Sequence, residues 1–190
     1  MMRIVPTSAL TVSNASCLSK CIFMKYTSAM KIALMSIGIP GSGKTTILKP
    51  LAERYGLAYI NRDDIREEIL GDARDQSHNE AVWQEANRRT IEALAADKGV
   101  VLDGTFVESW KRKDMVSLLH EAGASAIIGV VADVPLPVAL ERNRARTREV
   151  PESVIEKLYK IRMAEPPTLE EGFDAIIPLV NLSALETALT

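Results

Sequence analysis

Only two cysteines, Cys17 and Cys21, and two histidines occur in 190 residues. Both thiols lie in one N-terminal stretch and suggest no disulfide scaffold, and two histidines make no metal-site pattern. A reducing cytoplasm is the setting this composition fits. No apolar run approaches the roughly 20 residues of a membrane span, so no membrane is expected as a partner. Nothing in the chain calls for an obligate protein partner, and no internal repeat or low-complexity tract is present. Basic excess is missing as well: 23 Lys and Arg face 25 Asp and Glu, a net charge of −2. Acids are wholly absent from one region. Residues 1–29 hold none, are rich in Ser and Thr, and have Arg3, Lys20 and Lys25 as their only basic groups. Acid-poor, Ser-rich stretches occur in transit peptides. This one is poor in Arg for that, and its apolar stretch is too interrupted for a secretory signal. We read it as a tail or a misassigned start, with Met24 or Met30 as the true start. Residues 30–190 then form one domain, carrying 20 of the basic and all 25 acidic residues, a net −5. Nucleic-acid binding must therefore come from local clusters, not from overall charge.

What is present is a glycine loop, Gly38-Ile39-Pro40-Gly41-Ser42-Gly43-Lys44-Thr45. It fits the phosphate-binding (Walker A) pattern G-x-x-x-x-G-K-[ST] at every fixed position. An apolar strand-type run, Lys31 to Ile37, precedes it, and a helical run from Thr46 to Tyr55 follows. Glycines let the backbone curl so that N–H groups point at phosphate oxygens, and the helix N-terminus adds to the attraction. Gly38, Pro40, Gly41, Ser42, Gly43, Lys44, Thr45 and Thr46 are the expected nucleotide-binding residues. Lys44 reaches the β/γ-phosphates, and the Thr45 hydroxyl ligates Mg²⁺. No N-K-x-D guanine signature accompanies the loop, which argues against a GTPase and for ATP.

Beyond the loop, strand and helix alternate. Strands are expected at Ala58–Asn61, Val100–Asp103, Ala126–Val131 and Ala175–Leu179. Helices are expected at 64–70, 78–97, 109–122, 135–146 and 151–163. Such alternation implies an α/β fold, a parallel sheet with helices on both faces and right-handed crossovers. Ligands in such sheets bind beyond the carboxyl ends of the strands. The glycine loop, Asp63, Asp103 and Asp133 all follow strand ends and should converge on one rim.

Asp103 closes an apolar strand and reads as a second acid for Mg²⁺, held directly or through water. A turn or cap acid is the plainer reading of such a residue. Gly104-Thr105 leaves room for a substrate beside the metal. In Asn61-Arg62-Asp63-Asp64-Ile65-Arg66, Asp63 is the candidate base that orients an acceptor hydroxyl and takes its proton. Arg66, three residues on, suits an anionic group of the acceptor. Asp63 or Asp64 also suits a helix cap, with Asp64 and Glu67 spaced as a weak capping box. Both roles are compatible, with Asp64 capping and Asp63 facing the cleft. Arg142 and Arg146 share a helix face. At least one of them is expected on the ATP phosphates, within a helical lid at about 140–163. Cations near a helix C-terminus are otherwise commonplace.

Together, the glycine loop, Ile60-Asn61-Arg62-Asp63-Asp64-Ile65-Arg66, the strand ending Asp103-Gly104-Thr105, Ala132-Asp133-Val134-Pro135 and Glu141-Arg142-Asn143-Arg144-Ala145-Arg146 follow in order. Over about Lys31 to Met163 the chain resembles the kinase domain of phage-type polynucleotide 5′-kinases, within the P-loop kinases (the AAA-type ATP-binding kinase group). The resemblance implies a nucleoside-monophosphate-kinase-like sheet of five parallel strands, order 2-3-1-4-5. It implies Asp63 as general base, Lys44 and Thr45 on phosphate and Mg²⁺, and Arg66 on the phosphate 3′ to the acceptor hydroxyl. It implies Arg146, with Arg142 secondary, on the ATP phosphates. Asp63, Arg66 and Thr105 are thus the acceptor-side candidates, and Thr45 and Asp103 the metal-side ones. The phosphatase domain often fused to such kinases is not expected. The expected activity is ATP- and Mg²⁺-dependent transfer to a hydroxyl, with the 5′-hydroxyl of DNA or RNA as first choice. A small-molecule kinase on the same scaffold is the alternative, and an ATP-binding or ATPase module is a third reading. For a polynucleotide, a basic channel near Arg66 is expected, with Arg62, Lys111, Arg112 or Lys113 contributing.

Overall fold

The computed structural model describes residues 31–146 and 149–181. The expected tail or misassigned start at 1–29 lies outside the described residues. Five short strands carry the domain: β1 (Ile32–Ile37), β2 (Ala58–Asn61), β3 (Val100–Asp103), β4 (Ala126–Val131) and β5 (Ala175–Pro178). All neighbours pair in parallel, in the order β2-β3-β1-β4-β5. The inner strands are nearly continuous apolar runs because both of their faces are covered.

Among the described residues, six α-helices fill the connections: α1 (Lys44–Arg54), α2 (Arg62–Leu70), α3 (Asn79–Ala95), α4 (Ser109–Glu121), α5 (Leu136–Arg144) and α6 (Glu152–Ala164). The β1–β2 crossover runs one way across the sheet and the later ones run the other. Right-handed connections therefore place α1 on one face and α3 and α4 on the opposite one. On that second face, Ala33, Met35 and Ile37 of β1 join Val82, Ala86 and Leu94 of α3 and Met115, Val116 and Leu119 of α4 in one core cluster. A second cluster joins Ile39, Val107, Ala139 and Ile155, tying the glycine loop to α5 and α6. The expected helix pair near 140–163 is present as α5 and α6. Arg144 and Glu152 bridge the two at 2.6 Å.

The strand register positions the site. β2 and β3 end side by side, with Asn61 opposite Asp103. β2 runs into α2 without a loop. The helix therefore starts at Arg62 rather than Asp64, and the last strand residue serves as its cap. Asp133 departs from expectation. It pairs with Arg162 of α6 at 2.8 Å and anchors that helix instead of facing the rim where the other strand-end acids meet. Among the described residues, no helix is long and apolar enough to cross a membrane.

Candidate active site

A cleft of about 800 Å³ opens beyond the strand ends. Pro40, Gly41, Gly43, Lys44, Thr45 and Thr46 form one wall, Asp63 and Arg66 the other, and Asp103, Thr105 and Arg146 line it as well. Gly38, Ser42 and Arg142 are expected site residues that do not line it. Gly38 and Ser42 hold Lys44 from within the loop: its Nζ donates to Gly38 O at 2.7 Å, Ile39 O at 2.8 Å and Ser42 Oγ at 3.1 Å. Burial lowers the Lys44 ammonium from 10.5 to about 8. Asp103 opposes that shift and Arg146 adds to it. Arg142 sits outside the loop, its Nη1 3.5 Å from Gly41 O. Arg146 lies past the end of α5, close enough to Lys44 to act on its charge. Gly41 has φ +82°, and a Cβ there would stand 2.4 Å from Ala139 O, so the loop's packing on α5 admits only glycine.

Asp103 is the hub of the site. Its Oδ2 accepts from Thr45 Oγ1 and Tyr59 OH, both at 2.6 Å, and from Asn61 Nδ2 at 3.2 Å. Ser36 Oγ donates to Oδ1 at 3.2 Å. Burial, and then the adjoining Asp103 carboxylate, push the Tyr59 phenol well above its ordinary value. Among the described residues, no group of three or more His, Cys, Asp or Glu side chains is placed to hold a metal. A hydroxyl beside one carboxylate nevertheless suits Mg²⁺, a hard cation that takes its remaining oxygens from phosphate and water.

On the far wall, Asp63 is half exposed and its Oδ1 accepts from Arg66 Nη1 at 2.6 Å. Arg66 is buried. Its Nη2 donates to Asn79 Oδ1 at 3.1 Å and its Nη1 to Ala73 O at 3.4 Å, while its buried Nε has no acceptor. The cap of α2 is neither Asp63 nor Asp64. Asn61 Oδ1 accepts from the Asp63 and Asp64 amides at 2.8 and 3.3 Å. Both carboxylates are thereby released from the capping role. Asn61 and Tyr59 were missed in the sequence. Only their position beside the end of β3 reveals them, although Asn before a helical run is a recognisable cap signal.

The basic groups divide. Arg62 and Lys111 line the cleft, the latter paired with Glu108 at 2.7 Å. Arg112 and Lys113 do not. Arg112 is fully buried, with Nε and Nη2 each 2.6 Å from the Glu171 carboxylate. A charge so far from water needs its own counter-ion inside the fold. Lys113 points to solvent from the exposed side of α4.

A parallel sheet in this order, a phosphate loop after β1 and an acid closing β3 define a P-loop kinase. The AAA domain family profile (AAA_33) matches residues 34–166, and the chain belongs to that family. A putative adenylate kinase of Thermococcus kodakarensis is 29% identical over 76% of this chain and 97% of its own length. A shikimate kinase of Synechococcus elongatus is 29% identical over 68% of this chain and 70% of its own. An uncharacterised Mycobacterium tuberculosis protein, Rv2004c, is 31% identical over 55% of this chain, which spans a quarter of that protein's length. Among solved structures, a chain of the Pnkp1/Rnl/Hen1 RNA repair complex superposes with a TM-score of 0.66 at 25% identity. That match covers 80% of this chain and about half (49%) of the other. A putative kinase from Chloroflexus aurantiacus superposes with a TM-score of 0.63 at 16% identity, a likeness of fold alone.

Proposed function

We propose that this chain transfers the γ-phosphoryl group of ATP to a hydroxyl, with the 5′-hydroxyl of DNA or RNA as acceptor. The observation that carries the reading is the Asp63–Arg66 pair, a half-exposed carboxylate held at 2.6 Å by a buried guanidinium across the cleft from Lys44. Asp63 orients the hydroxyl and takes its proton as the oxygen attacks the γ-phosphorus. The bond to the β–γ bridging oxygen breaks, and ADP leaves. Lys44 and Arg146 stabilise the charge on the transferring group, and the loop amides hold the phosphates. Thr45 would ligate Mg²⁺ and Asp103 would hold it directly or through water. When bound, that ion neutralises charge shared between the β- and γ-phosphates. The domain assignment follows: one kinase domain over residues 30–190, with α5 and α6 as its lid.

Cleft composition favours a polynucleotide acceptor. Lys44, Arg62, Arg66, Lys111 and Arg146 outnumber Asp63 and Asp103 along its walls. This local excess lies within an acidic chain, as a strand-binding site here requires. The similarity to a chain of an RNA repair complex supports a nucleic-acid acceptor. A small-molecule kinase is the second reading, favoured by the shikimate kinase relatives, whose aligned region covers 70% of the Synechococcus protein. A pure binding module has no use for a base such as Asp63. A transfer assay with γ-labelled ATP against 5′-hydroxyl oligonucleotides, shikimate, nucleoside monophosphates and sugars tests the reading. Label on the oligonucleotide 5′ end is the expected result. Label on a small alcohol alone would overturn it.

A further inference from the structure

The acceptor wall carries a second guanidinium besides that of Arg66. Arg62 opens α2, with its Cζ 3.9 Å from the Trp83 ring centroid and 5.3 Å from that of Phe106. Stacked this way, a guanidinium keeps its edge of N–H donors available. Among the described residues, no carboxylate lies within ion-pair distance of it. Burial lowers its pKa, opposed by the nearby Asp63 and Glu108 carboxylates and reinforced by Arg66.

Several features of the chain maintain this stack. Phe106 adopts φ +40°, a left-handed conformation that is costly for an aromatic residue and persists where its surroundings impose it. Arg112 braces this segment, donating Nη1 to the Phe106 and Val107 carbonyls at 3.2 and 2.7 Å. Gly104 makes room. A Cβ there would stand 2.7 Å from a Phe106 ring carbon and 3.3 Å from Arg62 Nη2. The segment after β3 thus delivers an aromatic floor for one cleft-lining cation. Arg62 and Arg66 stand four residues apart on α2, one turn of the same face. That spacing is comparable with one nucleotide step along a single strand.

We propose that Arg62 reads a second phosphate of the acceptor, one nucleotide beyond the phosphate held by Arg66, so that the site selects polynucleotides over mononucleotides. This rests on the polynucleotide reading above. Planar donors suit a phosphodiester, and the aromatic floor fixes the fork before the strand arrives, so less freedom is lost on binding.

The test compares three 5′-hydroxyl acceptors: a nucleoside 3′-phosphate, a dinucleotide with a 3′-phosphate, and a hexanucleotide. For the wild type, KM should fall about ten-fold or more from the first to the second, as one charge-assisted contact allows, and little further for the third. Arg62→Gln should abolish that step, raising KM for the dinucleotide and the hexanucleotide about ten-fold more than for the one-phosphate acceptor. Trp83→Leu, which keeps the cation but removes its support, should lose part of the step and provides a second reading should Arg62→Gln fold poorly. If oligonucleotides are phosphorylated but Arg62→Gln and Trp83→Leu keep the full step, the second-phosphate role is overturned and the polynucleotide reading stands. The role is also overturned if Arg62→Gln lowers kcat equally on every acceptor. If no oligonucleotide accepts phosphate, both proposals fall.

Discussion

Lys44 and Asp63 face each other across one cleft in opposite conditions. Lys44 is buried, with three loop acceptors around its ammonium, and Asp103 behind it accepts from four side chains. Asp63 is 52% exposed, and the buried Arg66 beside it keeps an unpartnered Nε. The donor side is thus satisfied by its own chain, and the acceptor side has polar capacity left over. Phosphates present one geometry to every kinase of this kind, so their cradle can be built rigidly. An acceptor has to enter and leave, and its half of the cleft remains open to it.

The sharpest way to break this comparison is Asp63→Asn, which keeps the shape and loses the base. Transfer should fall about 10²–10⁴-fold, with ATP affinity by calorimetry nearly unchanged. Normal transfer would remove Asp63 from the mechanism. Lys44→Ala should cost transfer on the order of 10²–10³-fold and, unlike Asp63→Asn, weaken ATP binding with the fold intact by circular dichroism. Asn61→Ala tests the joint between the halves, since Asn61 Oδ1 caps α2 while its Nδ2 donates to Tyr59 and Asp103. Stability should drop about 0.5–2 kcal/mol, the usual worth of a cap, and both ATP affinity and acceptor KM should worsen. Damage confined to one side would mean the halves are independent.

The smallest effect is a proton. The folded pKa of Lys44, about 8, lies below its ordinary 10.5. The unfolded chain therefore binds this proton more tightly between those values, and stability gained from this group rises with pH across that window. Bound phosphates favour the ammonium. ATP binding should therefore take up a fraction of a proton near pH 8–9 and almost none near pH 6.5, read as a buffer-dependent calorimetric enthalpy. Lys44→Ala should abolish the uptake.

The donor side was legible because it is written in consecutive residues. Gly38 to Thr45 form one loop, and the strand and helix flanking it carry their own apolar periods. Strand bounds at Ala58–Asn61, Val100–Asp103 and Ala126–Val131 follow the sequence expectation because short apolar runs between turn residues have few other uses. The acceptor side was legible only in part. Asp63 and Arg66 lie within one helical turn of each other and could be paired by spacing. Arg112, read as a channel cation, is a buried partner of Glu171, 59 residues away, a distance no local pattern spans. Asp133, read as a rim acid, is held by Arg162 of α6.

By itself the sequence determined the class of fold, the phosphate loop and the candidate base, because these depend on local periodicity and on contiguous residues. Tertiary structure alone decided which residue caps α2, that Tyr59 and Asn61 hold Asp103, and that Arg62 stands over the Trp83 and Phe106 rings. Those choices follow from the parallel register that sets Asn61 beside Asp103 and from the packing of α3 and α4 on one sheet face. Contacts between side chains far apart in the chain are selected by packing and by the need to satisfy buried charge, and neither is encoded in any single segment.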